Sequence, residues 1–115
     1  MRLADIQFRL DGSSVIARVI GEVDLSNAEE MGSALTHGLA DGARELVLDL
    51  SALEYLDSAG IQLIYRLRED LQARGQGLRL VIPAGSPSHD ALRLAGVSQH
   101  VQTFATVTAA LAVGS

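Results

Sequence analysis

Along the first 23 residues, bulky and polar side chains alternate. Positions 4–10 (ADIQFRL) and 14–23 (SVIARVIGEV) form two alternating or apolar runs, and Asp11-Gly12 between them is a strong tight-turn signal. The pair predicts a β-hairpin. Ala28, Met31, Leu35 and Leu39 then recur at helical spacing and leave His37 on the opposite face. Ser26, with Glu29 three positions on, reads as a capping box that starts this helix. The DGAR run at 41–44 breaks it. ELVLDL at 45–50 is nearly continuous in large aliphatics, as in a parallel strand covered by helices.

The stretch 54–63, EYLDSAGIQL, hands a strand over to a second helix. Gly60, Ile64, Leu67 and Leu71 fall on one stripe of that helix, and Gln62, Arg66 and Glu69 line the other side. It ends near ARGQG, where glycine can close the last turn. LRLVI at 78–82 predicts a fourth strand, stopped by Pro83. A third helix follows, with Ser86 as cap, Pro87 at its first position and Gly96 as terminator. HVQTF gives a short fifth strand and TVTAALAV a last short helix.

The order ββαβαβαβα predicts one α/β domain over residues 1–115. Its expected architecture is a mixed, mainly parallel five-stranded sheet with an antiparallel N-terminal hairpin and about four helices. A length of 115 residues fits a single domain of roughly 100–200 residues. With 48% apolar residues and only 3% aromatics, the core must be aliphatic.

Charge and composition remove whole classes of function. A net charge of −5 argues against nucleic acid as a partner, because phosphate contacts need a basic face. All nine basic residues are arginine, so lysine Schiff-base chemistry and the phosphate-binding lysine of a P-loop are excluded. The absence of cysteine excludes disulfides, thiolate metal sites and cysteine nucleophiles. Charges interrupt the apolar run of MRLADIQFRL, unlike a signal peptide, and no run approaches the ~20 apolar residues that span a bilayer. A soluble cytoplasmic protein without membrane insertion is expected. No His, Asp or Glu group has metal-ligand spacing, and GQG at 75–77 is a turn rather than part of a dinucleotide-binding glycine motif, so neither metal nor cofactor is expected.

What remains is the Asp57-Ser58-Ala59-Gly60 corner. In structural terms Asp57 is a good N-cap, and Ala59 and Gly60 let the helix lie close on the sheet. The same geometry has a functional consequence. In an open α/β sheet the carboxyl ends of strands and the amino ends of helices share one rim, where ligands and partners bind. A hydroxyl in the first helical turn on that rim is exposed and sits in the field of the macrodipole. A phosphate there would carry roughly −1.5 to −2 charge beside Asp57. At about 5 Å and an effective dielectric near 20, each unit-charge pair costs about 3 kcal/mol before screening. That is too little to unfold a domain and ample to alter how an acidic rim meets a partner. Asp24, ending the hairpin's second strand, reaches the same rim if that strand lies beside the third; its structural role would be a turn or cap.

GEVDLSNAEEM, LVLDLSALEYLDSAGIQLIYRL, LRLVIP and ALRLAGV, in that order, resemble the STAS domain of bacterial anti-sigma factor antagonists, from about Ser14 to the C-terminus. The LDSAG corner is the most specific element. The resemblance implies a protein that binds an anti-sigma factor which is also a serine/threonine kinase, and so frees a sigma factor. It further implies that the kinase phosphorylates Ser58, that phosphorylation weakens the complex, and that a phosphatase acting on phospho-Ser58 restores the active form. Asp57 matches the family's corner aspartate, and Asp24 matches the acidic residue near the phosphoacceptor and partner surface. With Ala59 where many relatives carry a second hydroxyl, Ser58 is the only acceptor in the corner; Asp24, Asp57, Ser58, Ala59 and Gly60 together form the expected switch. A monomer or weak dimer is expected. The alternative within the same fold is a non-phosphorylated docking subunit of a lipid-transport or stress-sensing complex.

Enzymatic readings fare worse. Ser58 and Gly60 resemble half of a nucleophile elbow, but Leu56 occupies its first glycine position. His37, His89 and His100 each read as surface residues. A receiver domain with Asp49 as acceptor would need a lysine and an acidic pair ending the first strand, and the chain has neither. A regulatory binding module, not an enzyme, is the expectation.

Overall fold

A computed structural model of the chain describes residues 4–39 and 42–112. β1 (Ala4–Asp11) and β2 (Ser14–Val23) form the expected antiparallel hairpin, with Asp11 opposite Ser14 beside the turn. Gly12 takes φ 59° there, a left-handed value that costs glycine little and other residues more. The chain continues through α1 (Ala28–Gly38), β3 (Glu45–Asp49), β4 (Leu53–Leu56), α2 (Ser58–Ala73) and β5 (Gly77–Val81). It ends with α3 (His89–Leu94), a 3-10 turn (Val97–Gln99), β6 (Gln102–Phe104) and α4 (Val107–Ala112).

The main path of the sheet is β1-β2-β3-β5-β6, parallel except for β1 against β2. β4 is a sixth strand where five were expected. It pairs in parallel with the end of β2, Val23 opposite Leu56, after a register shift between Gly21 and Glu22. β3 takes Ser14–Arg18 of β2, and the turn closed by Leu53 N–H donating to Leu50 O at 3.1 Å returns the chain to pair with the rest. Four residues, buried only at the two ends, carry no readable alternation.

The predicted stripe of α2, Gly60, Ile64, Leu67 and Leu71, is buried as a set, and Ala28, Met31, Leu35 and Leu39 of the first helical run are buried with it. These residues, Leu92 of α3 and the aliphatics of β2–β5 that face them, such as Val15, Ala17, Leu46, Leu48, Leu53 and Leu80, make one core on one face of the sheet. Each fully buried Leu or Ile contributes about 1.5–3 kcal/mol relative to exposure. On the other face α4 covers Ile16, Val47 and Val81 with Ala110. Buried Arg79 anchors it there, donating from Nη1 to Ala110 O at 2.9 Å and reaching Glu45 Oε1 with Nη2 at 3.5 Å.

Two helix starts differ from the expectation. α1 follows Asn27 rather than Ser26, and no side-chain capping bond is made, so the Ser26/Glu29 capping box does not form. Asp24 takes the Ser26 hydroxyl instead. α3 starts at His89 after Ser88, and Ser86 N–H closes a turn onto Pro83 O at 3.1 Å, which leaves Pro87 ahead of the helix. Gly96, at φ 72°, terminates α3 as expected. The DGAR break falls partly outside the described residues at Asp41, as does the Val113 end of the last helical run.

Candidate functional site

β2 and β4 run side by side and stop together, so the residues that follow them, Asp24 and Asp57, share one rim. The strand end is closed by Asp57 N–H donating to Val23 O at 3.2 Å. Asp57 is extended (φ −102°, ψ −171°), which turns its carboxylate back over the helix it precedes. Its Oδ1 accepts from Ala59 N at 2.9 Å and Gly60 N at 3.2 Å, satisfying two of the amide donors that α2's first turn cannot pair internally. Its Oδ2 accepts from Leu25 N at 3.1 Å, in a loop 32 residues away. One carboxylate thus caps a helix and ties down the β2–α1 loop.

That loop is knitted by Asp24. Its Oδ1 accepts from Ser26 N at 2.9 Å and Ser26 Oγ at 2.5 Å, an Asx turn. Its backbone oxygen accepts from Asn27 N at 3.2 Å and Ala28 N at 2.9 Å. Its own N–H donates to Asn27 Oδ1 at 2.9 Å, while Asn27 Nδ2 donates to Glu22 O at 2.9 Å.

Against this fixed background Ser58, the first residue of α2, is exposed, Ala59 is half-buried and Gly60 is buried. Gly60 has no room for a side chain: a Cβ there would overlap Leu56 Cδ1 and come within 3.3 Å of Val23 Cγ1. The helix start lies directly on the ends of the two strands. The structure therefore brings Asp24, Asp57, Ser58, Ala59 and Gly60 into one corner.

Leu25 is the residue that sequence reasoning passed over. It is 83% exposed, beside both aspartates. The available signal was a large aliphatic between strand and helix that belongs to neither apolar stripe. Leu25 and Ala59 also open a groove that continues between α1 and α2, past Ala28, Gly32, Gln62 and Leu63.

The other candidates sit elsewhere. His37 Nδ1 lies 2.8 Å from Ser33 O within α1, His89 lies 3.4 Å from Asp90, and the His100 ring meets Tyr65 edge-on at 5.7 Å. Asp49 is buried, and its Oδ1 accepts from Ser51 N at 3.0 Å in the β3–β4 turn. Among the described residues no three or more His, Asp or Glu side chains are grouped to hold a metal ion, and no helix is long and apolar enough to cross a membrane.

Comparison with known proteins gives the same picture from another direction. The model of the STAS domain family matches residues 5–110. A Mycobacterium tuberculosis protein named anti-sigma-F factor antagonist RsfB is 33% identical over 92 residues, covering 79% of this chain and 73% of that one. The crystal structure of an anti-sigma factor antagonist from Mycobacterium paratuberculosis superposes with a TM-score of 0.77 at 27% identity, over 94% of this chain and 91% of the other. A sulfate transporter family protein from Wolinella succinogenes shares the fold with a TM-score of 0.75 at 18% identity, over 90% of this chain and 86% of that one.

Proposed function

The chain belongs to the STAS domain family, and on that premise we propose that it is an anti-sigma factor antagonist switched by phosphorylation of Ser58. In this reading it binds an anti-sigma factor serine/threonine kinase while Ser58 is unmodified, which frees a sigma factor. The kinase's own product, phospho-Ser58, ends the complex, and a phosphatase restores it. The names of its similar relatives favour this over the docking-subunit alternative.

The observation that carries the proposal is the division of labour between neighbours. Asp57 is turned inward and uses both oxygens on backbone donors, while Ser58 faces solvent. A phosphate on Ser58 therefore arrives where Ala59 N–H and Gly60 N–H are already taken. The helix N-terminus, ordinarily a ready anion site, has little left to offer. The added charge of roughly −1.5 to −2 stands uncompensated beside Asp57 and Asp24. The fold tolerates it because the phosphate is in water. A partner that must cover the corner does not, and each ~1.4 kcal/mol of repulsion is tenfold in affinity.

The test is a pull-down with the parent, Ser58→Ala and Ser58→Asp, joined to ATP labelling with the kinase recovered. The expected result is an ATP-binding kinase held by the parent and by Ser58→Ala, lost by Ser58→Asp, with one phosphate per parent chain, at Ser58. Labelling that persists in Ser58→Ala, or a transporter subunit as the captured partner, defeats the proposal.

A further inference from the structure

β1 is an eight-residue edge strand with no bulge and no proline, and among the described residues nothing pairs with its outer side. Such an edge is a template for another strand unless something blunts it. The opposite edge, β6, has three residues. Two of the molecule's large exposed apolar side chains lie on β1: Phe8 at 45% and Leu10 at 74% exposure. Both point to the helix-covered face, since Phe8 lies opposite Ala17 and Leu10 opposite Val15, two core residues of β2, and the Phe8 ring fills the space a Cβ on Gly38 would need.

We propose that β1 is a homodimerisation edge, pairing antiparallel with β1 of a second copy about a twofold axis through Gln7. The two-residue turn makes Asp11 and Ser14 a hydrogen-bonded pair, so the backbone groups of residues 5, 7, 9 and 11 point to β2 and those of 4, 6, 8 and 10 point outward. A docked copy must therefore join even-numbered residues to even-numbered ones. Centred on Gln7, the strand meets itself with Ile6 opposite Phe8 and Ala4 opposite Leu10 on the apolar face. On the other face Asp5 lies opposite Arg9, twice by symmetry. This self-complementarity is what an isologous interface requires, and opposite charges directly across a ladder stabilise it.

Neighbouring registers lack this match. Centring on Phe8 sets Asp5 against Asp11, and centring on Ile6 sets Asp5 against the uncharged Gln7. The antiparallel arrangement sends the two copies' β2 strands to opposite ends of the joined sheet, so both Ser58 corners stay free and the dimer presents two of them.

The native chain has no cysteine, which gives a direct register test. Facing Gln7 residues form a non-hydrogen-bonded pair with Cα atoms about 4.5 Å apart, inside the range of about 4.4–6.8 Å that a disulfide spans. Full-length Gln7→Cys is expected to form a linked dimer on mild oxidation at least about tenfold faster than Asp5→Cys or Arg9→Cys, whose copies face away from one another. In sedimentation equilibrium the parent is expected to dimerise with rising concentration, Arg9→Asp to weaken the dimer about tenfold or more, and the charge swap Asp5→Arg/Arg9→Asp to restore it. A parent that stays monomeric to about 1 mM, equal cross-linking from all three positions, or a dimer indifferent to Arg9→Asp overturns the proposal. None of these readouts involves Ser58, so the outcome is independent of the phosphorylation switch.

Discussion

The backbone N–H of Leu25 donates to Asp57 Oδ2 at 3.1 Å, while the other oxygen of that carboxylate caps α2. Helix start and neighbouring loop are thereby set by one side chain. Asp57→Ala removes a cap of about 1 kcal/mol and the exposed bond from Leu25 N–H, worth about 1 kcal/mol, so urea unfolding should show a loss of about 2 kcal/mol. Asp57→Asn keeps one acceptor for α2 but sets an amide against one of the donors, and should fall between the two. A stability unchanged in Asp57→Ala would mean that water replaces this tie without cost.

Asp24 combines a structural role with a proposed electrostatic one, and two substitutions separate them. Asp24→Ala loses the bonds from Ser26 N and Ser26 Oγ, and keeps the backbone bonds to Asp24 O. The expected cost is about 1 kcal/mol. Asp24→Asn retains an acceptor oxygen and should unfold like the parent. If the charge serves recognition, both variants lower kinase affinity or the rate of Ser58 labelling by about tenfold; an Asp24→Asn with parental binding confines Asp24 to shaping the loop.

Leu25 at 83% exposure contributes little to the fold, and its N–H survives any substitution but proline. Beside the two aspartates it is placed as the apolar anchor of a partner surface, where truncation of a central contact typically costs more than 1 kcal/mol. Leu25→Ala should therefore leave the thermal midpoint unchanged and weaken kinase binding by about tenfold. Leu94→Ala on α3, equally exposed, is the control and should bind like the parent. Equal losses in both would indicate a nonspecific effect of surface apolarity.

What the sequence revealed and what it hid follow from range. The α2 stripe was readable because Gly60, Ile64, Leu67 and Leu71 repeat within one helix, and Asp57 was readable as a cap because the N–H donors it accepts from lie two and three residues on. Asp57's second role was not, since Leu25 lies 32 positions away and becomes a neighbour only when β4 docks on β2. β4 itself has too few residues to show a period. The Ser26 and Glu29 pattern did not form because the helix starts later, after Asn27, while Ser26 sits in the preceding Asx turn with its N–H and hydroxyl both donating to Asp24 Oδ1.

Gly60 gives the sharpest test of how closely α2 sits on the strand ends. Alanine favours a helix over glycine by about 1 kcal/mol, so on propensity alone Gly60→Ala should stabilise. In the parent it should destabilise instead, because the new methyl overlaps Leu56 Cδ1, and Leu56 is itself buried and not free to swing away; such overpacking costs about 1–3 kcal/mol. Leu56→Ala removes the obstacle at its own cost of about 2–5 kcal/mol. In that background Gly60→Ala should change sign and stabilise, by up to the propensity difference plus whatever cavity the methyl fills. The double-mutant cycle should then show a coupling of at least about 1 kcal/mol. Additive effects would mean that the helix start has slack above the strands, and the inward Asp57, outward Ser58 arrangement would lose the close packing that fixes it.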